Sequence, residues 1–375
     1  MSGFLGVTYH DRQRMWGNGV SGTFMSHFQK GIELVTQSSG HKFVKRVALL
    51  CESAEDQISQ ADASNSDNWY RCTYVHMIIV RCNNIVEWRQ STRSYIKHLV
   101  DGFERQNDEW CIMYIYVPKP VHTEAEHVAD LVEQRKMYRT VQKAFGARDT
   151  GEQRCCWLDI SPAKNCPSEP RPSGTTSNGG SSAGGGANAD AAGGGSGGGG
   201  DTEDPVLEEL NRKDQALRLH ILMDAVSRTF QRRRKKYERE VEILRDDMSS
   251  DSWDYCRFFV TCESSAKMFE RVHLFEDALH IYDMLEQVDA ARTSTRGQWM
   301  KGQTLACKKG SAILTPSSRQ RAEIKNYSCS RADFMQYVSC SACFVFGCTH
   351  TNRHPQNTYD NPSRWFAACC CCCCC

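Results

Sequence analysis

Three short patterns put chemistry-bearing residues at suggestive intervals. Gly17-Asn-Gly19-Val-Ser-Gly22 matches G-x-G-x-x-G, whose backbone amides meet a pyrophosphate when the run follows a buried strand and opens a helix. The preceding Asp11–Trp16 is polar and basic, and Gly31 soon interrupts the segment after the run, so the run reads as a glycine-rich loop. Cys340-Ser-Ala-Cys343, with Cys348 and His350 nearby and Cys329 and His354 as fillers, has partial zinc-ligand spacing. A second spaced pair would complete a zinc site; without one, buried thiols account for the pattern, and zinc at Cys340, Cys343 and Cys348 stays open. His122-Thr-Glu-Ala-Glu-His127 sets its histidines five apart, not the four that share a helix face, and lacks Glu after the first His. It reads as a polar helix start. Cys and His are too numerous to nominate a catalytic pair. No catalytic, cofactor-binding or metal-ligating residue is assigned.

The elements that would position any site fall in two parts. In the first, Thr73–Val80 and Trp110–Val117 are near-continuous apolar runs of buried-strand type, and Cys155–Ile160 is a third candidate strand. Asn84–Phe103 has helical spacing, and Thr123 caps a helix that runs to Gly146. Strand–helix–strand–helix–strand predicts an α/β domain over 1–171, clearest at 70–160, with a largely parallel sheet. The turns after the first two strands, Arg81–Asn84 and Pro118–Val121, contain no glycine to cradle a phosphate. Phe43–Leu50 reads as strand or helix, and Ser53–Asn68 as a loop.

A Gly/Ser/Ala-rich tract at 172–204 predicts a flexible linker. Beyond it, 205–346 reads as helical. A long helix opens at Pro205 with Asp204 as cap, and its apolar face is Val206, Leu210, Leu217, Ile221, Ala225, Val226 and Phe230. The basic run Arg232–Lys236 reads as a solvated helical face, with Glu238, Glu240 and Glu242 nearby. The tail 347–375 lacks periodicity and ends in the cysteines Cys369–Cys375.

At 375 residues, two domains are expected. Forty-six basic against 45 acidic residues give no global field favouring nucleic acid or an anionic membrane. No apolar run reaches a membrane span, and Met1–Asp11 lacks the pattern of a signal peptide. The expectation is a soluble, cytoplasmic chain with reduced thiols despite 21 cysteines.

Within Trp253–Glu286, apolar or small residues recur at Ala266, Phe269, Val272, Phe275, Ala278, Leu279, Tyr282 and Leu285. That is one stripe of a helix. It predicts two antiparallel helices, near 254–270 and 273–288, joined tightly at His273–Leu274. Trp253, Cys256, Phe259, Glu263, Phe269, Glu270, Phe275-Glu276-Asp277-Ala278-Leu279, Tyr282, Asp283 and Leu285 follow without a gap. This series resembles the signature of the TRAPP II large subunit, the trafficking protein particle complex subunit 10 family. Trp88, Glu109–Trp110 and Arg135–Phe145 sit in the corresponding family order, so the resemblance covers most of 70–290. It resumes at Glu323–Phe346 through Tyr327, Ser330, Arg331 and Phe334.

The resemblance implies an α/β domain followed by the start of a helical, solenoid-like region. The implied role is a non-catalytic scaffold subunit of a TRAPP-type vesicle-tethering complex. Its implied partners are the small TRAPP core subunits, other TRAPP II subunits and, indirectly, a Rab-family GTPase. Its implied place is peripheral, on Golgi or trans-Golgi membranes, with no cofactor and no nucleic acid. Fold or interaction determinants would be Trp253, Cys256, Phe259, Phe269, Phe275, Glu276, Asp277, Leu279 and Tyr282. The family is much longer and ends in β-sandwich domains, so the chain reads as a truncated or frame-shifted version or a gene-model artefact. Two other readings stay open: an α/β nucleotide- or cofactor-binding enzyme, and a generic tetratricopeptide-like adapter, since Phe-Glu-Asp-Ala-Leu is common in such repeats.

Overall fold

The structure, a computed structural model, describes residues 4–28, 31–38, 41–55, 66–120, 123–146, 153–160, 205–250, 253–295, 318–326 and 331–353. The tract 172–204, which includes Asp204, lies outside them, as do His122, Tyr327, Cys329, Ser330, His354 and the terminal cysteines.

Six strands form one sheet: β1 (Phe4–His10), β2 (Ile32–Ser38), β3 (His41–Ser53), β4 (Val75–Val80), β5 (Trp110–Tyr116) and β6 (Cys155–Asp159). Their order is β2-β3-β1-β4-β5-β6. All neighbours are parallel except β2, which pairs antiparallel with β3 at the edge. The three strands expected from apolar runs are β4, β5 and β6, and the ambiguous Phe43–Leu50 lies within β3. β5 is buried along its whole length. Its alternation sends Ile112, Tyr114 and Tyr116 to one helical layer and Cys111, Met113 and Ile115 to the other.

One layer consists of α2 (Ile85–Glu87), a π-helical turn (Trp88–Thr92), α3 (Arg93–Gln106) and α4 (Glu124–Phe145). Asn84 starts it, its side chain accepting the Val86 and Glu87 N–H groups at 3.0 and 2.9 Å. The π turn, which the periodicity did not show, belongs to the helical run that places Trp88, Ile96 and Val100 in the core. Thr123 caps α4 as expected, in a reciprocal capping box with Glu126.

The other layer contains α1 (Ser21–Phe28) and α5 (Pro205–Asp246). The expected glycine-rich loop is instead helical: Gly17 and Gly19 lie in a π turn (Trp16–Val20) that runs into α1, which begins with Ser21 and Gly22. Burial of Val20, Phe24 and Phe28 against the sheet outweighs the low helix propensity of glycine. The 42 residues of α5 give a rod about 60 Å long at roughly 1.5 Å per residue. It passes β6, β5, β4 and the edge strand β2. Ile221, Ala225, Val226 and Phe230 are buried as the pattern predicts, whereas Leu210 is exposed.

The basic run departs in part from its expectation. Arg233 donates to the Cys72 and Thr73 carbonyls and lies over the Tyr74 ring, Arg232 reaches Glu109, and Lys236 sits 3.8 Å from the Trp69 ring centroid. Open carbonyls at the entry to β4 draw Arg233 down, so Arg232 and Arg233 strap α5 to the sheet, while Lys235 and Lys236 stay exposed and Arg234 pairs with Glu238 at 2.7 Å as on a solvated face.

After α5 come α6 (Tyr255–Arg271), α7 (Phe275–Thr295), α8 (Ser318–Lys325) and α9 (Arg331–Arg353). α6 packs on α5, α7, α8 and a 3-10 turn (Ser66–Arg71), and α9 lies along α7. α9 continues past residue 347, where a tail without periodicity was expected. Strand, α5 and α6–α9 side chains belong to one contiguous core.

Candidate interaction platform

The two helices expected over 254–270 and 273–288 are α6 and α7. Asp254 starts α6 by accepting the Arg257 N–H at 2.9 Å. The helix ends in a tight two-bond cap, Leu274 N–H to Phe269 O at 3.0 Å and His273 N–H to Glu270 O at 3.1 Å. His273 takes the left-handed position at φ 59°. The reversal lays α7 back against α6.

The signature residues divide by depth. Phe259 is fully buried, with its ring 5.2 Å from Phe334 and 5.9 Å from Tyr337. Phe269 is buried edge-on to Phe230 of α5 at 6.0 Å. Cys256 is buried and its thiol donates to the Ile324 carbonyl at 3.1 Å. Tyr282 is buried and donates to Glu270 at 2.9 Å. Trp253 is half-buried, its indole N–H bonded to the Leu244 carbonyl where α5 ends. Phe275, Asp277 and Leu279 are half-buried, and Glu276 is exposed. Together with His280 and Asp283 it gives α7 a polar, mainly acidic outer face.

Because α6 is enclosed, its polar residues need partners. Glu263 is fully buried and is met by Arg321, by the Tyr337 hydroxyl and by Lys267 at 3.6 Å. Arg321 also bridges to Asp67 in the 3-10 turn, which Lys325 binds as well. Burial by itself would raise the Asp67 carboxyl, but hydrogen bonds from Arg321 and Lys325 overcome it and hold the group below its usual range. Burial pushes the Tyr337 phenol up, reinforced by the Glu263 charge. Glu270, half-buried beside Tyr282, is pushed above the usual carboxyl range, chiefly by desolvation.

A second buried carboxylate joins the two halves of the chain. Glu109, at the entry to β5, pairs with Arg154 at 3.2 Å and with Arg228 and Arg232 of α5 at 3.1 and 2.5 Å. Burial would raise it; the Arg228 hydrogen bond and the surrounding guanidinium charges hold it down. Its neighbour Trp110 is buried, with the Arg154 guanidinium 4.9 Å from its ring. Both clusters are closed ion networks of structural type. Sequence reasoning named Glu109 and Glu263 within the family pattern but missed Asp67, Arg154, Arg321, Lys325 and Tyr337, whose partners are remote in sequence.

Cys340 and Cys343 are half-buried one turn apart on α9. Among the described residues no three His, Cys, Asp or Glu side chains are grouped to hold a metal ion. No helix among them is long and apolar enough to cross a membrane.

No family model matches the chain. Among curated proteins it is similar to the trafficking protein particle complex II-specific subunit 130 homologs of Oryza sativa subsp. japonica, 23% identical, and Arabidopsis thaliana, 24% identical, each over 281 residues and 74% of this chain. It is 27% identical over 282 residues, 75% of the chain, to trafficking protein particle complex subunit 10 of Dictyostelium discoideum. In each case the match spans 18% of the relative's own length.

Proposed function

We propose that this chain, a divergent relative of the TRAPP large subunits, acts as a non-catalytic scaffold in a TRAPP-type vesicle-tethering complex. The observation that carries this reading is the match to those subunits across three quarters of the chain. Burial of Phe259, Phe269 and Tyr282, residues of the signature that the sequence resembles, supports a role for them as fold determinants. Glu276 and Asp283, with Phe275, Asp277 and Leu279 partly exposed beside them on α7, are the part of the signature best placed to touch a partner. The partners proposed are the small TRAPP core subunits and other TRAPP II subunits, with a Rab-family GTPase activated through the assembly at Golgi membranes.

Affinity capture of the tagged chain from its own cells tests this. Recovery of small TRAPP subunits is expected, and a Glu276→Lys/Asp283→Lys variant recovers less of them while keeping a native circular dichroism spectrum. A folded bait that brings down none of these subunits overturns the reading.

A further inference from the structure

β1 stands between β3 and β4, both parallel to it, and the chain moves to β3 on one side before returning to β4 on the other. Strand order therefore reverses at β1, and open α/β sheets bind ligands beyond the carboxyl ends of the strands at such a point. A crevice of about 490 Å³ lies there, walled by Tyr9, Trp16 and Tyr95 with Arg12, Arg14 and Ser53. A second hollow of about 230 Å³ shares Arg12 and Tyr95 with it and reaches Val80 at the end of β4. The volume suits a small-molecule ligand.

The walls define the ligand's chemistry. Tyr9 and Trp16 stack at 4.5 Å and 20°, and the Arg12 guanidinium lies 5.4 Å from the Tyr95 centroid, so the sides are flat and aromatic. Arg12 and Arg14 are exposed side chains at the mouth, where guanidinium forks suit a phosphate. Asp11 gives one carboxylate oxygen to the Trp16 N–H at 2.6 Å. Its other oxygen is shielded from solvent, so Asp11 shapes the loop and does not face a ligand. Glu55 is a second carboxylate, exposed at the rim. His10 adds no charge at neutral pH, because burial, then the charge of His76, lowers its pKa to about 4. Two cations against two carboxylates fit one phosphate better than a triphosphate. The glycines that could form an amide cradle are locked in the Trp16–Val20 turn, so side chains must do the holding.

We propose that this crevice binds a nucleoside monophosphate, with the base against the Tyr9–Trp16–Tyr95 wall and the phosphate at Arg12 and Arg14. The site is independent of the assembly reading and needs no reaction.

Isothermal titration of the intact chain with AMP, GMP, CMP, UMP, adenosine and inorganic phosphate tests it. At least one monophosphate is expected to bind saturably, and about tenfold more tightly than inorganic phosphate or the free nucleoside. Arg12→Ala/Arg14→Ala is expected to weaken it at least tenfold. Tyr95→Ala should weaken the monophosphate and leave inorganic phosphate unchanged. Circular dichroism confirms that each variant is folded. Absence of saturable binding, equal affinity for inorganic phosphate, or binding indifferent to the arginine pair overturns the proposal.

Discussion

Phe259 and Phe269 turn their rings wholly into the core, whereas Phe275 keeps part of its ring in solvent. Large-to-small truncation costs the lost transfer energy plus the cavity left behind, about 3–5 kcal/mol for a buried Phe. Phe259→Ala and Phe269→Ala are expected to lie in that range by urea denaturation, and Phe275→Ala at roughly half of it. Equal losses at all three would contradict the depth assigned to α7. Glu263 raises a different question, because its carboxylate is enclosed with Arg321, Lys267 and Tyr337. Removing one member of a buried pair strands the others, so Glu263→Gln is expected to cost about 3–5 kcal/mol. Phe269, Phe275 and Tyr282 were legible from helical spacing, whereas Phe259 entered only through the family resemblance. The ionic half of this neighbourhood was not legible, since Asp67 meets Arg321 across 254 residues of sequence, a distance over which charge order carries no signal.

At the scale of elements, legibility followed how completely each element is sandwiched. β4, β5 and β6 lie between two helical layers and show apolar runs. The edge hairpin β2–β3 and the β1 segment FLGVTYH mix polar and small residues, so the first 70 residues resisted assignment. The α6–α7 reversal was legible in place but not in mechanism. A left-handed position after a helix usually holds glycine, and here it holds His273 at φ 59°. Asn107, at φ 58°, ends α3 with the same pair of bonds, its own N–H to Glu104 O and the Asp108 N–H to Phe103 O. A Cβ disfavours this conformation, so His273→Gly is expected to stabilise the protein by about 0.5–1 kcal/mol in thermal or urea unfolding, the added freedom of the unfolded glycine being the smaller effect. Asn107→Gly should gain less, because Asn tolerates the left-handed region better. Loss of stability at His273→Gly would mean that the imidazole contributes more than its backbone costs.

For the molecule as a whole, the question is whether the two halves separated by the 172–204 tract are independent. The periodicity of α5 shows that it has an apolar face but not what that face covers, and the structure lays it across the sheet, with Glu109 held by Arg228 and Arg232 of α5. That junction has a pH signature. Glu109 and Asp67 are held below their ordinary values, so their contribution is fully present above the unfolded carboxyl pKa, about 4, and is lost as pH falls through the lower folded values. Glu270 has the opposite sign: its raised folded pKa favours the fold below the unfolded value, and that contribution is lost as pH rises through the folded one. The melting temperature is therefore expected to fall below about pH 4. Glu109→Gln and Asp67→Asn should flatten that acid limb, and Glu270→Gln should raise the melting temperature near pH 7. Proteolysis probes the same junction directly. If cutting concentrates in 172–204, two resistant pieces result, as the linker composition predicts, but α5 would still cover Met77, Met113 and Leu158 on the sheet. The nicked chain is expected to elute as one species in gel filtration and to separate only in denaturant, while residues 1–171 expressed alone should expose that face and aggregate. A soluble, cooperatively melting 1–171 fragment would show that the sheet needs no second half to fold, and that α5 is a passenger on it.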